Sequence, residues 1–345
     1  MTSHFVNICK FVTSRDDYIA FQKYSNSNIK NKFQNSQQIP CLNSNSSLTP
    51  PPKVIYINGY NSEMQNSKKV AYITKFCENF GIDLLTFDHY AHGLSTGSFS
   101  KATIGRWYKD LCLLIEKKTS GPQVLIGSSM GAWLALLVVL RNKNLKNRIH
   151  GVIGIAPAIN FTEIVLNEVL ELGLTNNDKL TQNETRNEAQ NESQIVYNRP
   201  SKYSPTGYYP MTLHFLQESR GHFINQQELV NGISCPIVLI HGQQDQDISY
   251  EETLKWSKLL SGNNEENVKI KLISDGNHRL SREQDLKLLG NEHSLFEPTC
   301  LQKKKRKYQA NDTHSSFHKK RLKLPDKEDT QRHAYDSLKN IAVIL

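Results

Sequence analysis

Gly127-Ser128-Ser129-Met130-Gly131 is a G-x-S-x-G pentapeptide. It follows the apolar run Val124–Gly127 directly and leads into the apolar stretch Trp133–Leu140, with no loop segment between. A serine at so abrupt a strand-to-helix turn is strained, and its Oγ is pushed out above the sheet edge. The flanking glycines, Gly127 and Gly131, are needed because a Cβ at either would collide with the neighbouring chain. The N–H of Met130, at the positive end of the following helix, is left to face developing negative charge. Ser129 is therefore the candidate nucleophile, and Ser128 fills the variable position of the motif.

Such a serine is weak until a base takes its proton and an acid orients that base. In the chain order that accompanies this turn, Ser is followed by Asp or Glu and then His, each on a loop after a late strand. The run Pro236–Ile240 ends in HGQQDQD, which offers Asp245 as the acid, with Asp247 as a rival two residues on. The run Val268–Ile273 ends in SDGNHR, which offers His278 as the general base. His241 and His92, each beside a turn glycine, read as structural. A second oxyanion donor must come from the loop after an early strand. Here that loop is Ile57-Asn58-Gly59-Tyr60-Asn61-Ser62, and the Tyr60 N–H is the candidate. There is no HExxH and no Cys/His group with ligand spacing, so neither a metal nor another cofactor is expected.

Strands and helices must alternate to hold these loops at one sheet edge. Phe11–Thr13 and Tyr18–Phe21 predict an opening hairpin. Val54–Ile57, Asp83–Phe87, Val124–Gly127, Gly151–Ile155, Pro236–Ile240 and Val268–Ile273 predict buried strands. Ser67–Phe80, closed by Gly81, and Lys109–Glu116 predict helices between them. The class is α/β, with a mostly parallel sheet and helices on both faces. Alternation lapses between Ala156 and Ser234, where Phe161–Leu174 and Thr212–Phe223 predict a helical cap. The expected organisation is core over 1–156, cap over 157–234, core again over 235–290, and a basic tail over 291–345. Ile164, Val165, Val169, Leu170 and Leu213–Phe215 are candidates to line an acyl pocket.

The chain has 345 residues and a formal net charge of +9. Lys303–Lys307, Lys319–Arg321 and Lys323 supply nine basic side chains against Asp312 alone in that stretch, which accounts for most of the excess. The positive charge thus belongs to a tail rich in polar residues, read as solvated. Contact of KKKRK with nucleic acid or an anionic surface is the lesser expectation, since no aromatic-interleaved strand or zinc finger accompanies it. Ser25–Ser47 and Asn176–Asn198 are similarly polar and read as insertions. The six cysteines form no CxxC pair, and Cys77, Cys112 and Cys235 sit among apolar residues as core groups. No apolar run is long enough to span a bilayer. With no apolar signal core or Arg-rich leader in view, the reading is cytoplasmic, with a mitochondrial address as the alternative.

Several segments together resemble one branch of the α/β-hydrolases. It is the branch that contains the mitochondrial palmitoyl-protein thioesterase that is also an acyl-glucuronide esterase, and its bacterial relatives. The segments are INGYNSEMQNSKK, FDHYAHGLSTGSF, GRWYKDL, GPQVLIGSSMGAWL, RPSKYSPTGYY, CPIVLIHGQQDQDI and DGNHRLSREQDL. By that resemblance Ser129, Asp245 and His278 fall on the triad, and Tyr60 and Met130 on the oxyanion donors. It implies an esterase or thioesterase acting on a small-molecule or acylated-protein substrate. A peptidase or amidase of the same fold is one alternative; a non-catalytic binding protein that uses the basic tail is another. The final core helix expected after HRLSREQDL is not evident in GNEHSLFEPTC.

Overall fold

The computed structural model of the chain describes residues 8–14, 16–25, 53–172, 196–229, 233–262 and 265–290. The basic tail, and the parts of the two polar insertions at 26–47 and 176–195, lie outside the described residues.

The opening hairpin is β1 (Cys9–Val12) and β2 (Tyr18–Tyr24). It is followed by β3 (Lys53–Ile57), α1 (Lys68–Phe80), β4 (Leu84–Phe87), α2 (Ile104–Lys118), β5 (Gln123–Ser128), α3 (Met130–Arg141) and β6 (Ile149–Ile155). After β6 come α4 (Phe161–Glu171), β7 (Val196–Pro200), β8 (Tyr208–Thr212), α5 (Leu213–Ser219) and α6 (Gln226–Leu229). The chain returns through β9 (Ile237–Gly242), α7 (Tyr250–Ser261), β10 (Val268–Ile273) and α8 (Glu283–Gly290).

Eight strands form one sheet in the order β1-β2-β4-β3-β5-β6-β9-β10. The first two pairings are antiparallel and the other five parallel. The register sets Ile57 opposite Gly127 and Ser128 opposite Ile155, so β3, β5 and β6 end at one level. Successive side chains serve opposite faces, as the period of a strand requires. Ile55, Ile57 and Leu125 pack with Trp107 of α2 and Trp133 of α3. Val54, Tyr56, Val124 and Ile126 pack with Val70 and Ile73 of α1 and with Leu286 of α8. Both faces are covered, which is why these strands read as continuous apolar runs.

Local signals set the helix ends. The Ser67 hydroxyl accepts from the Val70 N–H, and Gly81 closes α1 in the left-handed region at φ 68°. Thr103 caps α2 through the Arg106 N–H, so that helix starts well before the expected Lys109.

The structure departs from expectation in the segment between β6 and β9. This segment is not purely helical. β7 and β8 pair antiparallel, from Val196 opposite Thr212 to Pro200 opposite Tyr208. Val196–Asn198, expected in a polar insertion, therefore belongs to a strand. A further helix ends the described residues. α8 begins inside the REQDL segment, and its Asp285, fully buried, accepts from the Arg282 backbone N–H at 3.1 Å and from the Arg282 guanidinium at 2.7 Å. α8 was not among the expected helices, and GNEHSLFEPTC, where a final helix was not evident, lies outside the described residues beyond Gly290.

Candidate active site

Ser129 has φ 54° and ψ −119°, a strained conformation for a residue with a Cβ. It joins β5 to α3 with no intervening residue. A Cβ on Gly131 would lie 2.2 Å from the Ile57 carbonyl oxygen, and one on Gly127 would lie 2.4 Å from the Ala132 nitrogen. Only hydrogen fits at these two positions. The Ser129 N–H is spent on the Ile155 carbonyl at 2.8 Å, which fixes the turn to β6.

Nε2 of His278 lies 3.0 Å from Ser129 Oγ. On the other side of the ring, Nδ1 lies 2.6 Å from Asp245 Oδ2. The three residues, from the loops after β5, β10 and β9, form one hydrogen-bonded row. With Asp245 as acceptor, Nδ1 carries the proton, and Nε2 is left to accept from the serine hydroxyl. The rival Asp247 lies elsewhere: its carboxylate accepts from the Ser201 hydroxyl, at 3.0 and 3.1 Å.

Asp245 is held on all sides. Oδ1 accepts from the Asp247 and Ile248 N–H groups at 2.9 and 3.0 Å. Burial alone would raise its pKa. Hydrogen bonds from His241 and His278, reinforced by the Ile248 amide, overcome burial and hold the carboxyl well below the usual carboxylate range. His241, read from sequence as structural, thus belongs to the site. It is fully buried, with Nε2 at 2.9 Å from Asp245 Oδ2 and Nδ1 at 2.6 Å from Thr253 Oγ1. Its place in HGQQD, four residues before the acid at the end of a buried strand, was the available signal.

Tyr60 and Met130 flank the serine through the main chain. A Cβ on Gly59 would stand 3.0 Å from the Ser128 carbonyl oxygen, so the loop after β3 runs against the Ser129 turn. Met130 opens α3, and the first N–H groups of a helix have no intrahelical acceptor. The loop after β4 braces the Tyr60 loop. His92 Nε2 accepts from the Asn61 N–H at 3.0 Å, and His89 Nε2 donates to the Asn58 carbonyl at 2.9 Å. Burial lowers the pKa of His92 to about 4, consistent with a neutral ring that accepts. Asp88 accepts from the Met64 and Leu94 N–H groups at 2.6 and 2.9 Å. Lys69 of α1 donates to the Arg279 carbonyl at 2.7 Å, beside His278. Burial, with Arg279 adding, pushes the Lys69 ammonium down to about 8.

Ser129 and His278 line a cavity of about 470 Å³. Ala158, Phe161, Tyr209 and Met211 supply apolar wall; Lys69, Arg199 and Arg279 supply positive charge. The acyl-pocket residues expected from sequence are elsewhere. Ile164 and Leu170 are exposed, whereas Val165, Val169 and Phe215 are buried in the core. Helical period had marked the right helix, but its first residue, Phe161, is the one at the cavity.

This sheet order, with a strained serine at the end of a central parallel strand, defines an α/β hydrolase. The chain belongs to the Hydrolase_4 family, described as serine aminopeptidase, S33, whose model matches residues 49–285. It is a hydrolase. Among curated relatives it is 28% identical over 257 residues to the mouse "palmitoyl-protein thioesterase ABHD10, mitochondrial", covering 74% of this chain and 79% of the relative. The human protein of the same name is 29% identical over 259 residues, covering 74% and 76%. Among solved structures, the mouse alpha/beta hydrolase domain-containing protein 10 superposes with a TM-score of 0.61 at 22% identity, covering 82% of this chain and 95% of that one. A putative hydrolase from Agrobacterium vitis S4 gives 0.61 at 25%, covering 82% and 94%. The cytoplasmic expectation draws no support from the curated relatives, whose names carry a mitochondrial address.

Proposed function

We propose that the chain hydrolyses carboxylic esters or thioesters through an acyl-enzyme on Ser129. The observation that carries the reading is the unbroken row from Asp245 through His278 to Ser129 Oγ at the floor of a partly apolar cavity. Ser129 Oγ attacks the acyl carbonyl while its proton passes to His278 Nε2. Asp245 holds Nδ1–H and stabilises the cation that forms. The Tyr60 and Met130 amides receive the oxyanion. The leaving alcohol or thiol takes the proton from Nε2. Water then gives a proton to His278 as it attacks the acyl-enzyme, and His278 passes that proton to Ser129 Oγ as the acyl–oxygen bond breaks, freeing the acid and the serine.

The segment over 157–234 acts as the cap, with Phe161, Tyr209 and Met211 against the acyl chain. The palmitoyl-protein thioesterase relatives favour a fatty acyl thioester on a protein, and a mitochondrial address. An aminopeptidase is the second reading: a free amino terminus needs a carboxylate to meet it, and Glu63 and Asp247 line the cavity beside Lys69, Arg199 and Arg279. The test is a panel of p-nitrophenyl esters, acyl thioesters and aminoacyl amides, with Ser129→Ala as control. Turnover of esters and thioesters above amides supports the reading; preference for aminoacyl amides overturns it.

A further inference from the structure

The β7–β8 hairpin and its joining loop reach three separate loops of the core. The Tyr60 hydroxyl, after β3, donates to the Pro210 carbonyl at 2.5 Å. The Ser201 hydroxyl donates to the Asp247 carboxylate, and the Arg199 guanidinium donates to the Asp247 carbonyl at 3.2 Å, in the loop after β9. The Arg279 guanidinium, after β10, donates to the Tyr203 carbonyl. The Tyr203 ring lies 5.9 Å from the His278 ring, centre to centre. Each anchor is at, beside or two residues from a group in the Ser129 site. Tyr60 carries the oxyanion amide itself, Arg279 follows His278, and Asp247 is two residues past Asp245.

A two-stranded hairpin is marginal on its own, and among the described residues β7 and β8 pair only with each other. Part of its order comes from Arg199, whose guanidinium is also paired with Glu168 of α4 at 3.1 Å. More comes from the Tyr197 hydroxyl, which donates to Glu168 at 3.3 Å, from Met211 buried in the core, from these tethers and from the cavity wall, to which Tyr203, Tyr209 and Met211 contribute. We infer that the hairpin is a clamp that positions the acid, the base and the oxyanion amide together, so that filling the cavity and aligning the site are coupled. Ser201 and the Tyr60 hydroxyl are positioning groups in it. A ligand that packs on Tyr209 and Met211 steadies the hairpin, and the hairpin steadies all three loops. The coupling runs equally in both directions. The inference rests on the ester and thioester reading of the Ser129 site.

The test uses the full chain with Ser201→Ala, Tyr60→Phe and the pair, measured on a short p-nitrophenyl ester. Tyr60→Phe keeps the backbone amide and the ring. Each single variant is expected to lower kcat/KM about tenfold, with kcat falling and KM rising together because the loosened hairpin is also cavity wall. The pair should lose distinctly less than the product of the singles, because both cuts release one element. Ser201→Thr, which keeps the hydroxyl, should restore most of kcat/KM. Unchanged kcat/KM in both singles, or losses that multiply in the pair, overturns the clamp. A second readout needs no turnover: the low-field proton resonance of the His278 Nδ1–H to Asp245 bond. The clamp predicts that Ser201→Ala shifts it and Ser201→Thr does not; a resonance unmoved by Ser201→Ala overturns it. Wild type inert to every ester and thioester would instead sink the ester and thioester reading, leaving the resonance to decide the clamp.

Discussion

Nε2 of His241 lies 2.9 Å from Oδ2 of Asp245, the oxygen that also faces Nδ1 of His278 at 2.6 Å. Two imidazoles therefore share one carboxylate oxygen, and the second is itself fixed by Thr253. A buried carboxylate held this way stays ionised and cannot rotate away from His278.

Replacing His241 with Phe removes one of the donors that keep the Asp245 carboxyl low, and leaves its burial in place. Its pKa rises, so the Asp245 carboxyl takes up a proton at higher pH as the solution is acidified. The expected result is a loss of kcat/KM of about tenfold or more and an acidic limb displaced upward in pH. A full pH profile of kcat/KM for both proteins checks this. An unmoved limb would leave His241 a packing residue.

Lys69 gives a stability prediction with the opposite charge sign. Its folded pKa of about 8 lies below its ordinary value of 10.5. Between these values the unfolded chain binds the proton and the folded chain does not, so the Lys69 contribution to stability rises with pH across that window. Below about pH 8 both states are protonated and the folded state bears the cost of a charge drawn from water. Thermal melts of wild type and Lys69→Met at several pH values should show wild type gaining on the variant from about pH 8 to about pH 10. A constant difference would contradict the assignment.

Gly131→Ala forces a Cβ against the Ile57 carbonyl, 2.2 Å away in a rigid sheet. Neither partner can yield without moving the Ser129 turn. The expected cost is about 3 kcal/mol, with activity lost beyond what the fall in stability explains. Urea unfolding beside the ester assay separates the two effects.

The sequence revealed the parts of this site that depend on local constraint. G-x-S-x-G between an apolar run and an apolar helix marks Ser129 because only glycine fits beside so sharp a turn. Asp245 was legible because it follows the end of a buried strand, and His278 because it follows the last strand of the sheet, an edge strand that is only partly buried rather than buried as expected. The β7–β8 hairpin was not. RPSKYSPTGYYP carries prolines at 200, 205 and 210 and no clean alternation. Its order comes in part from Tyr60, Glu168, Asp247 and Arg279, all distant in sequence. His241 was misread for a related reason: its partner Thr253 lies in a helix that the sequence reading did not identify. α8 was missed because it spans eight residues and its anchor, Arg282 to Asp285, is a side-chain pairing rather than a periodicity.

The most direct test is covalent labelling with a fluorophosphonate, wild type beside Ser129→Ala and Ser128→Ala. Strained geometry and a base 3.0 Å away predict that Ser129 is the activated serine. Wild type and Ser128→Ala should label, and Ser129→Ala should not. Labelling that survives Ser129→Ala, or folded wild type that takes no label, would contradict the account.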